Sequence, residues 1–331
     1  MKEKRILLKD IALKSGLTIN TVSRALKDKD DISEKTKSYV KALALEMGYI
    51  PDAVASSLRS GFTNTIGIVF DNINNPYFMM MTDLVYQELQ RMGYDLMIYT
   101  NSGDHAKLDI DAFQKMVARR IDGIITFLKP TEDVVKLSKM NQIPIVVLGR
   151  EGDDVDVDSV YTDDCEGGRA LAKHLYEKGY KNVAYIGAPK DIMTSLKRFE
   201  GFSKFFKEKH IDIPKDNVIF LEHGRVALKP IVDALLKKEI DAIFCFNDTM
   251  AYEVIDYVIK NGYRVPEDIA ICGYDNLEEY LHIPVMLTTV DTDKRELVRK
   301  AIQILSDRLK AFDQPIQTMV NASKVVVRKT T

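Results

Sequence analysis

Residues 8–26 read LKDIALKSGLTINTVSRAL, and this stretch decides how the N-terminal part of the chain folds. Apolar side chains recur at helical spacing before Gly16, a residue type that commonly ends a helix. Thr18 then stands where a second helix would have its N-cap, and apolar positions again follow at helical spacing. Two short helices joined by a turn of three or four residues with a glycine are typical of a helix-turn-helix.

The second of these helices leaves a short, mostly polar and cationic set of side chains outside its apolar face. Such side chains can donate to and accept from base edges in the major groove of DNA. The set comprises Ile19, Asn20, Thr21, Ser23 and Arg24. A third helix, capped by Ser33 and ending near Gly48, gives residues 1–50 a three-helix pattern that many small helical domains also share.

Charge is distributed unevenly along the 331 residues. Hydrophobic residues make up 46% and charged residues 29% of the chain, a globular balance, and the length suggests about two domains. Residues 1–61 carry 12 Lys and Arg against 8 Asp and Glu, whereas the remainder carries 35 against 41. A small basic head before an acidic body fits a nucleic-acid-binding module, although the same excess is also ordinary surface variation.

Residues 51–62 read PDAVASSLRSGF and connect the head to the body. Asp52 can cap a helix of about two turns, with Leu58 on its apolar side. Such a helix is far shorter than the roughly 12–15 residues that an isolated helix needs. We therefore expect a hinge helix that becomes ordered only when something packs on it.

Composition excludes several classes of protein. No run of about 18 apolar residues occurs, and the charged start MKEKRILLKD lacks the apolar core of a signal peptide. The cysteines Cys165, Cys245 and Cys272 form no CxxC pair and predict buried thiols in a reducing compartment. We therefore expect a cytoplasmic protein with no membrane association.

No catalytic or metal-binding motif is present. The sequence contains no GxSxG, GxxxxGK[ST] or HExxH, and its five histidines are scattered, so we expect no metal, no cofactor and no enzyme activity. Because the body contains paired carboxylates, the lack of a motif does not by itself exclude a hydrolase. The body alone would also suit a solute-binding protein of a transporter, but the helix-turn-helix in front of it argues against that class.

Residues 63–331 alternate apolar strand-like runs with amphipathic segments. The predicted strands are Ile66–Phe70, Asp95–Tyr99, Gly123–Phe127, Ile145–Leu148, Val160–Thr162, Val183–Ile186, Val218–Leu221, Ala242–Phe246 and Ile269–Gly273. This βαβ series predicts parallel sheets covered on both faces, with too many units for one sheet. A break near Val160, where a second series of strands begins, therefore predicts two lobes.

We expect an N-lobe of about residues 63–160 plus 291–320, and a C-lobe of about residues 161–290 plus the C-terminal strand. A late helix near Lys294–Lys310 would cross back to the N-lobe. Ligands of open α/β sheets bind beyond the carboxyl ends of the strands, and those ends carry polar residues and nearby aromatics. The polar residues are Asp71-Asn72, Arg150, Asp163-Asp164, Asn247-Asp248 and Asp275-Asn276. For Asp164 and Asp248, helix capping is as good an explanation as ligand contact.

Several motifs, in order and spacing, resemble the LacI/GalR family of bacterial transcriptional regulators. In the head these are Asp10-Ile-Ala, Thr21-Val-Ser-Arg-Ala-Leu and Gly48-Tyr-Ile-Pro, and in the body they are Asn75-Pro-Tyr-Phe, Arg198-Phe-Glu-Gly-Phe and Gly273-Tyr-Asp-Asn. The resemblance implies an all-α helix-turn-helix head, a hinge helix and a two-lobed α/β effector domain like that of periplasmic binding proteins. It implies a repressor that binds a pseudo-palindromic double-stranded operator as a homodimer. The effector that the resemblance implies is a sugar or sugar phosphate, the commonest case in the family, with a nucleobase or a protein corepressor as the alternatives.

The resemblance also assigns residues to two sites. DNA contacts are implied for Thr18, Ile19, Asn20, Thr21, Ser23, Arg24, Leu58 and Arg59. Leu58 matches the hinge leucine that wedges into the minor groove, although packing on the body would also explain it. Effector contacts are implied or supported for Asn75, Tyr77, Phe78, Arg150, Asp163, Arg198, Phe220, Asn247 and Asp275. The absence of an apolar heptad repeat after Val325 predicts a dimer instead of a tetramer.

Overall fold

The structure is a computed structural model that describes residues 6–51, 61–101, 107–152, 155–223, 227–281 and 286–331. The chain divides into two compact units, a head of Met1–Thr63 and a body of Asn64–Thr331. The predicted hinge-helix residues Leu58 and Arg59 lie outside the described residues.

The three predicted head helices are confirmed. They are α1 (Leu8–Ser15), α2 (Ile19–Leu26) and α3 (Glu34–Glu46). Gly16 has φ of 70° and ends α1, as a residue without a Cβ can do readily. The Thr18 hydroxyl accepts from the Thr21 amide at 3.1 Å and Ser33 caps α3 in the same way. The helices enclose a small core of Ile11, Ala12, Val22, Ala25, Val40, Leu43 and Ala44.

The body contains parallel strands separated by helices. The first part of the body comprises β1 (Thr65–Phe70), α4 (Pro76–Arg91), β2 (Asp95–Thr100), β3 (Lys107–Leu108), α5 (Ile110–Val117), β4 (Gly123–Thr126), β5 (Lys129–Pro130), α6 (Glu132–Asn141), β6 (Ile145–Leu148) and β7 (Asp158–Thr162). The second part comprises α7 (Asp164–Glu177), β8 (Val183–Gly187), α8 (Met193–Glu208), β9 (Val218–Phe220), α9 (Leu228–Leu236), β10 (Ala242–Cys245), α10 (Asp248–Lys260) and β11 (Ala270–Cys272). The last part comprises β12 (Thr289–Asp291), α11 (Lys294–Lys310), β13 (Thr318–Asn321) and β14 (Lys324–Val326).

Two separate parallel sheets define the two lobes. The N-lobe sheet has the order β13-β7-β6-β4-β1-β2, and the C-lobe sheet has the order β11-β10-β8-β9. Each sheet carries a buried apolar cluster on both of its faces. Sheets buried on both faces explain why their strands are continuous apolar runs instead of alternating patterns.

Helix α11 returns to the N-lobe, which confirms the predicted crossover. Its apolar stripe of Leu297, Ala301 and Leu305 recurs every four residues and is buried in the N-lobe core beside β1 and β6. Strand β14 pairs with β12 in an antiparallel ladder near the C-lobe. The chain therefore passes between the lobes after β7, before α11 and after β13.

One strand lies in a different lobe from the one expected. The sequence pattern places Val160–Thr162 at the start of the second lobe, and this is wrong. Strand β7 pairs in parallel with β6 on one side and with β13 on the other, so it belongs to the N-lobe sheet. Residue alternation identifies a strand but carries no information about its partners, one of which here lies about 160 residues later in the chain.

The described ranges include no helix that is both long and apolar enough to cross a lipid bilayer. Cys245 and Cys272 are buried free thiols, as predicted, and Cys165 is half-buried.

Candidate functional site

The start of helix α2 forms the exposed surface of the head. Thr18, Ile19 and Asn20 are exposed, with Ile19 51% exposed, whereas Val22 and Ala25 on the opposite side are fully buried. An exposed isoleucine beside polar side chains costs hydration free energy unless a partner covers it. The six predicted DNA contacts that the structure describes, Thr18, Ile19, Asn20, Thr21, Ser23 and Arg24, all lie at least partly exposed in this region.

Arg24 is already held within the head. Its Nε donates to Asp31 Oδ2 at 2.8 Å and its Nη2 donates to Asp31 Oδ1 at 2.5 Å. The hydrogen bonds from Arg24 lower the pKa of the Asp31 carboxyl. The pair is well exposed, so it contributes little to stability, but it orients the guanidinium at the end of α2.

A cavity of about 500 Å³ lies between the two lobes of the body. We call it the inner cavity. Its N-lobe wall includes Asp71, Asn72, Asn75, Tyr77, Phe78, Phe127, Leu148, Gly149 and Arg150. Its C-lobe wall includes Ala188, Pro189, Ile192, Thr194, Arg198, Leu221, Glu222, His223, Phe246, Asn247, Met250 and Asp275. A volume of this size is typical of small-molecule sites.

The structure brings seven predicted effector residues together around this cavity and leaves two elsewhere. Those that line it are Asn75, Tyr77, Phe78, Arg150, Arg198, Asn247 and Asp275. Asp163 lines a neighbouring cavity and caps α7 by accepting from the Glu166 amide at 2.9 Å. Phe220 packs edge-on against Phe199 and Tyr185, with ring centroids 5.8 and 5.7 Å away, and is not among the lining residues.

Arg198 forms the polar floor of the C-lobe wall. The side chain is buried, and its Nε donates to Asp164 Oδ1 at 2.7 Å. Its Nη1 donates to the Phe246 carbonyl at 2.7 Å, while Nη2 lies 3.7 Å from Asp275 Oδ1. The guanidinium also lies over the Tyr274 ring, 3.6 Å from its centroid. Two hydrogen bonds, one ion pair and an aromatic ring therefore hold this cation in place without any ligand.

Two glycines allow this arrangement. A Cβ on Gly168 of α7 would lie 2.0 Å from the Arg198 carbonyl oxygen, and one on Gly201 of α8 would lie 1.8 Å from the Cys165 carbonyl oxygen. Helices α7 and α8 thus touch backbone to backbone at their crossing. This close approach brings Arg198, on α8, within hydrogen-bonding distance of Asp164, at the start of α7.

Burial changes the pKa values of the ionisable side chains in and behind this wall. Burial raises the pKa of the Asp275 carboxyl to about 6, against the opposing effect of Arg198. Burial also raises the pKa of the Asp164 carboxyl, which Arg198 opposes in the same way. For Arg198 burial lowers the pKa, but the carboxylates of Asp164 and Asp275 raise it by more. The guanidinium therefore keeps its charge although it is buried.

The N-lobe wall carries charges that are not paired. Within the described residues, the Arg150 side chain forms no hydrogen bond or ion pair, and burial lowers the pKa of its guanidinium. Asp71 Oδ1 is buried and has no hydrogen-bond partner in the same part of the chain. Buried polar atoms without partners are costly, so this wall is suited to a ligand that supplies the missing hydrogen bonds.

The aromatic residues of the N-lobe wall form a closed group. Phe78 lies 5.1 Å from Phe127 and 5.4 Å from Phe70 between ring centroids, and Tyr77 lies against Phe78 at 5.7 Å. Burial strongly raises the pKa of the Tyr77 hydroxyl, so Tyr77 stays neutral. Beside the polar groups, these rings supply an apolar face suited to the faces of a sugar ring or another flat ligand.

Two asparagines of the cavity have a structural function as well. Asn75 Oδ1 accepts from the Tyr77 amide at 3.0 Å and caps α4. Asn247 Oδ1 accepts from the Met250 amide at 2.9 Å and caps α10. In each case the side-chain oxygen is occupied by the cap, which leaves the amide nitrogen as the donor toward the cavity.

Helix capping does not explain Asp164 or Asp248 in the structure. The caps of α7 and α10 are Asp163 and Asn247. Asp164 pairs with Arg198, and the buried Asp248 accepts from Thr289 Oγ1 at 2.6 Å and from the Leu277 amide at 2.7 Å. Both carboxylates support the wall of the inner cavity, which neither of them lines, and Asp164 lines the neighbouring cavity.

Sequence reasoning missed several residues of the inner cavity. Thr194, Glu222 and His223 line it. Glu222 directly follows the predicted strand Val218–Leu221, so the strand-end rule itself points to it, and His223 is the next residue. Thr194 lies further from any predicted strand, and no strand-end signal marks it. No group of three or more His, Cys, Asp or Glu side chains in the described ranges is arranged to hold a metal ion.

Comparison with known proteins agrees with this geometry. Residues 63–323 match the profile of periplasmic binding proteins and the sugar-binding domain of the LacI family, and residues 7–52 match the profile of bacterial regulatory proteins of the lacI family. The repressor PurR of Aliivibrio salmonicida is 30% identical over 327 residues, covering 97% of this chain and 98% of the relative.

Two solved structures share the fold over nearly the whole chain. The lac repressor dimer bound to operator and the anti-inducer ONPF has a TM-score of 0.81 at 21% identity, covering 99% of each chain. The complex of the transcriptional regulator CelR with cellobiose has a TM-score of 0.69 at 22% identity, covering 99% of this chain and 100% of that one. The predicted fold class is confirmed, and the chain belongs to the lacI family of bacterial regulatory proteins.

Proposed function

We propose that this protein is a dimeric transcriptional repressor whose affinity for operator DNA is set by a neutral carbohydrate in the inner cavity. As a lacI-family protein, it is a DNA-binding repressor controlled by a small molecule. The observation that carries the ligand assignment is the inner cavity itself, in which polar side chains from both lobes converge beside aromatic rings. A ligand that contacts both walls changes the relation between the lobes.

The charges around the cavity favour a neutral, hydroxyl-rich ligand. The lining holds the carboxylates of Asp71, Glu222 and Asp275 and the guanidinium groups of Arg150 and Arg198. Arg198 is already neutralised by Asp164 and Asp275. Carboxylates and guanidinium groups can each bind two neighbouring hydroxyls, so this set suits a sugar. The regulator CelR, which has the same fold, is known in complex with cellobiose.

A sugar phosphate is the second candidate, because Arg150 is unpaired. A phosphate would give this guanidinium the two parallel hydrogen bonds that it lacks. Asp71 argues against a sugar phosphate. It lies in the same wall, and its negative charge raises the pKa of Arg150 and would repel the phosphate.

DNA binding is assigned to the head and hinge. We infer that Thr18, Ile19, Asn20 and Thr21 contact bases and phosphates at the start of α2, with Ser23 and Arg24 one turn further on. Leu58 and Arg59 are assigned to the minor groove by the family resemblance. The ligand changes DNA affinity only by the difference between its affinities for the two states of the protein.

Dimerisation is assigned to the outer face of the N-lobe. Met79 and Tyr86 lie seven residues apart on one face of α4 and are 39% and 46% exposed. Ile98, on the edge strand β2, is 43% exposed. Exposed apolar side chains grouped on one element commonly mark a protein interface, and a twofold pair of such surfaces would match a pseudo-palindromic operator.

A repressor of this kind releases its ligand unchanged. We therefore expect no turnover of any bound sugar, and we place the protein in the cytoplasm, where bacterial operator DNA lies. Product analysis after prolonged incubation checks this point, since any hydrolysis would mean that the carboxylates of the cavity are catalytic.

The test begins with operator selection from genomic DNA, followed by measurement of operator affinity with and without neutral sugars. We expect one sugar to raise the melting temperature by several degrees and to change operator affinity at least tenfold. Asn20→Ala serves as the matched control, because it should abolish operator binding while leaving the sugar-dependent thermal shift intact. A sugar that stabilises the protein but leaves operator affinity unchanged would contradict the proposed switch.

A further inference from the structure

A second cavity of about 610 Å³ adjoins the inner cavity, and we call it the outer cavity. The two share three lining residues, Arg150, Ile192 and Thr194. The remaining lining residues of the outer cavity are Lys107, Lys129, Glu151, Tyr161, Thr162, Asp163, Asp164, Cys165, Asp191, Met193, Lys197, Glu200 and Val320. Each cavity is large enough for a small-molecule unit, and Arg150 stands at their junction.

Side chains from both lobes fix the walls of the outer cavity. Glu151, which follows β6 of the N-lobe, forms an ion pair with Lys197 on α8 of the C-lobe. The Tyr161 hydroxyl, at the end of β7, donates to Glu151 Oε1 at 2.6 Å. This connection holds the N-lobe side of the cavity against helix α8, so the outer cavity is as much an interlobe site as the inner one.

The outer cavity also contains unsatisfied polar groups. Thr162 is 6% exposed, lines the cavity, and its Oγ1 has no hydrogen-bond partner in the described part of the chain. Ile192 stands at the N-cap of α8 and offers no side-chain acceptor to the amides of the first turn. A buried hydroxyl and uncapped amides leave both a donor and an acceptor function open to a ligand.

The charge of the outer cavity points to a neutral occupant. Its lining includes four cationic side chains, Lys107, Lys129, Arg150 and Lys197, and five carboxylates, Glu151, Asp163, Asp164, Asp191 and Glu200. An isolated phosphate or a cationic group would meet charges of its own sign on some side of the cavity. A unit rich in hydroxyl groups can use both kinds of side chain.

We propose that the ligand has the size of a disaccharide, with one sugar unit in the inner cavity and the second in the outer cavity. Arg150 lies beside the linkage, and Thr162 hydrogen-bonds a hydroxyl of the second unit. This inference rests on the proposed function, because it extends the carbohydrate of the inner cavity into a second compartment.

Two substitutions and one control test the second compartment. Val320→Trp fills the outer cavity from β13, where Val320 is 50% exposed, without touching the inner lining. Thr162→Val removes the hydroxyl and keeps the shape. Val327→Trp is the matched control, because Val327 is 52% exposed and lines neither cavity.

The measurement is titration calorimetry on the full chain with glucose and galactose and with maltose, cellobiose, trehalose and lactose. We expect one disaccharide to bind at least tenfold more tightly than its component monosaccharides, with one molecule per chain. Val320→Trp should remove this advantage and leave monosaccharide affinity within twofold. Thr162→Val should lower disaccharide affinity about 3- to 10-fold, and Val327→Trp should change neither affinity.

Equal affinities for disaccharides and monosaccharides, or two monosaccharides bound per chain, would overturn the inference. So would a Val320→Trp variant that keeps full disaccharide affinity. In those cases a monosaccharide that still changes operator affinity leaves the proposed function intact. If none of these sugars binds or alters operator affinity, the carbohydrate assignment is wrong, and so is the proposed second sugar site in the outer cavity.

Discussion

Two arginines face the inner cavity from opposite lobes, and they differ in almost every physical respect. Arg198 on the C-lobe wall is hydrogen-bonded to a carboxylate and a carbonyl and lies over an aromatic ring. Arg150 on the N-lobe wall has no hydrogen bond or ion pair in the described ranges. The comparison separates two functions that a list of lining residues would merge: one arginine organises the wall, and the other is available to select the ligand.

The largest effect is expected from removing Arg198. Arg198→Ala leaves Asp164 buried without its partner, which should lower the free energy of unfolding by about 3 kcal/mol or more. Sugar affinity should fall more than 100-fold, because Asp164 and Asp275 then repel each other across the floor of the cavity. Chemical denaturation and calorimetry measure both quantities. Arg198→Lys should recover little, since an ammonium group lacks the planar fork; sugar binding at full strength in either variant would show that Arg198 does not organise the wall.

A smaller effect is expected from acidification. The pKa of Asp275 is about 6 in the folded protein against an ordinary value of 3.8, so Asp275 takes up a proton as the pH falls through 6. A protonated Asp275 accepts hydroxyl hydrogen bonds poorly, and sugar affinity should drop about tenfold between pH 7 and pH 5. The raised pKa has the opposite sign for folding: this group favours the folded state below the ordinary pKa, and that contribution is lost as the pH rises through 6.

Calorimetry across this pH range in the wild type and in Asp275→Asn tests whether Asp275 causes the loss of sugar affinity at low pH. The variant should bind more weakly but without the pH dependence. If its affinity falls with pH as steeply as that of the wild type, another group controls the titration.

The smallest effect is expected at Arg150. Arg150→Gln removes a partly buried charge that has no ion-pair partner, so the free energy of unfolding should stay unchanged or rise slightly, and should not fall by more than about 0.5 kcal/mol. Neutral-sugar affinity should fall about 3- to 10-fold, whereas a sugar phosphate would lose 100-fold or more because its main partner is gone. Comparing glucose with glucose 6-phosphate on the same variant therefore sharpens the ligand class. A large loss of stability would mean that Arg150 is structural after all.

Much of this architecture follows from short-range signals in the sequence. Gly16, Thr18 and Ser33 mark helix ends by local chemistry, and the structure has the ends there. Apolar runs identified the strands of both sheets except the edge strand β13, which is largely exposed and carries no apolar run. The ends of those strands located most of the inner cavity, since a parallel sheet collects its carboxyl ends at one edge.

The features of the fold and of the cavities that the sequence does not predict depend on contacts between distant parts of the chain. The lobe of β7 is decided by pairing with β13, and the outer cavity depends on where Glu151 meets Lys197. Phe220 follows the strand-end rule, yet it turns toward Tyr185 and away from the cavity. No local pattern distinguishes these outcomes, because each is selected by the packing of neighbours that are remote in sequence.

The crossing of α7 and α8 at Gly168 and Gly201 has a consequence for anyone who would redesign this protein as a biosensor. Side chains at those two positions would push Arg198 away from Asp164, so the helix crossing that supports the C-lobe wall tolerates almost no substitution. The N-lobe wall carries no such constraint, and Asp71 and Arg150 can be varied without undoing a packed helix pair. A library directed at that wall alone should yield sensors for new sugars that keep the original switch.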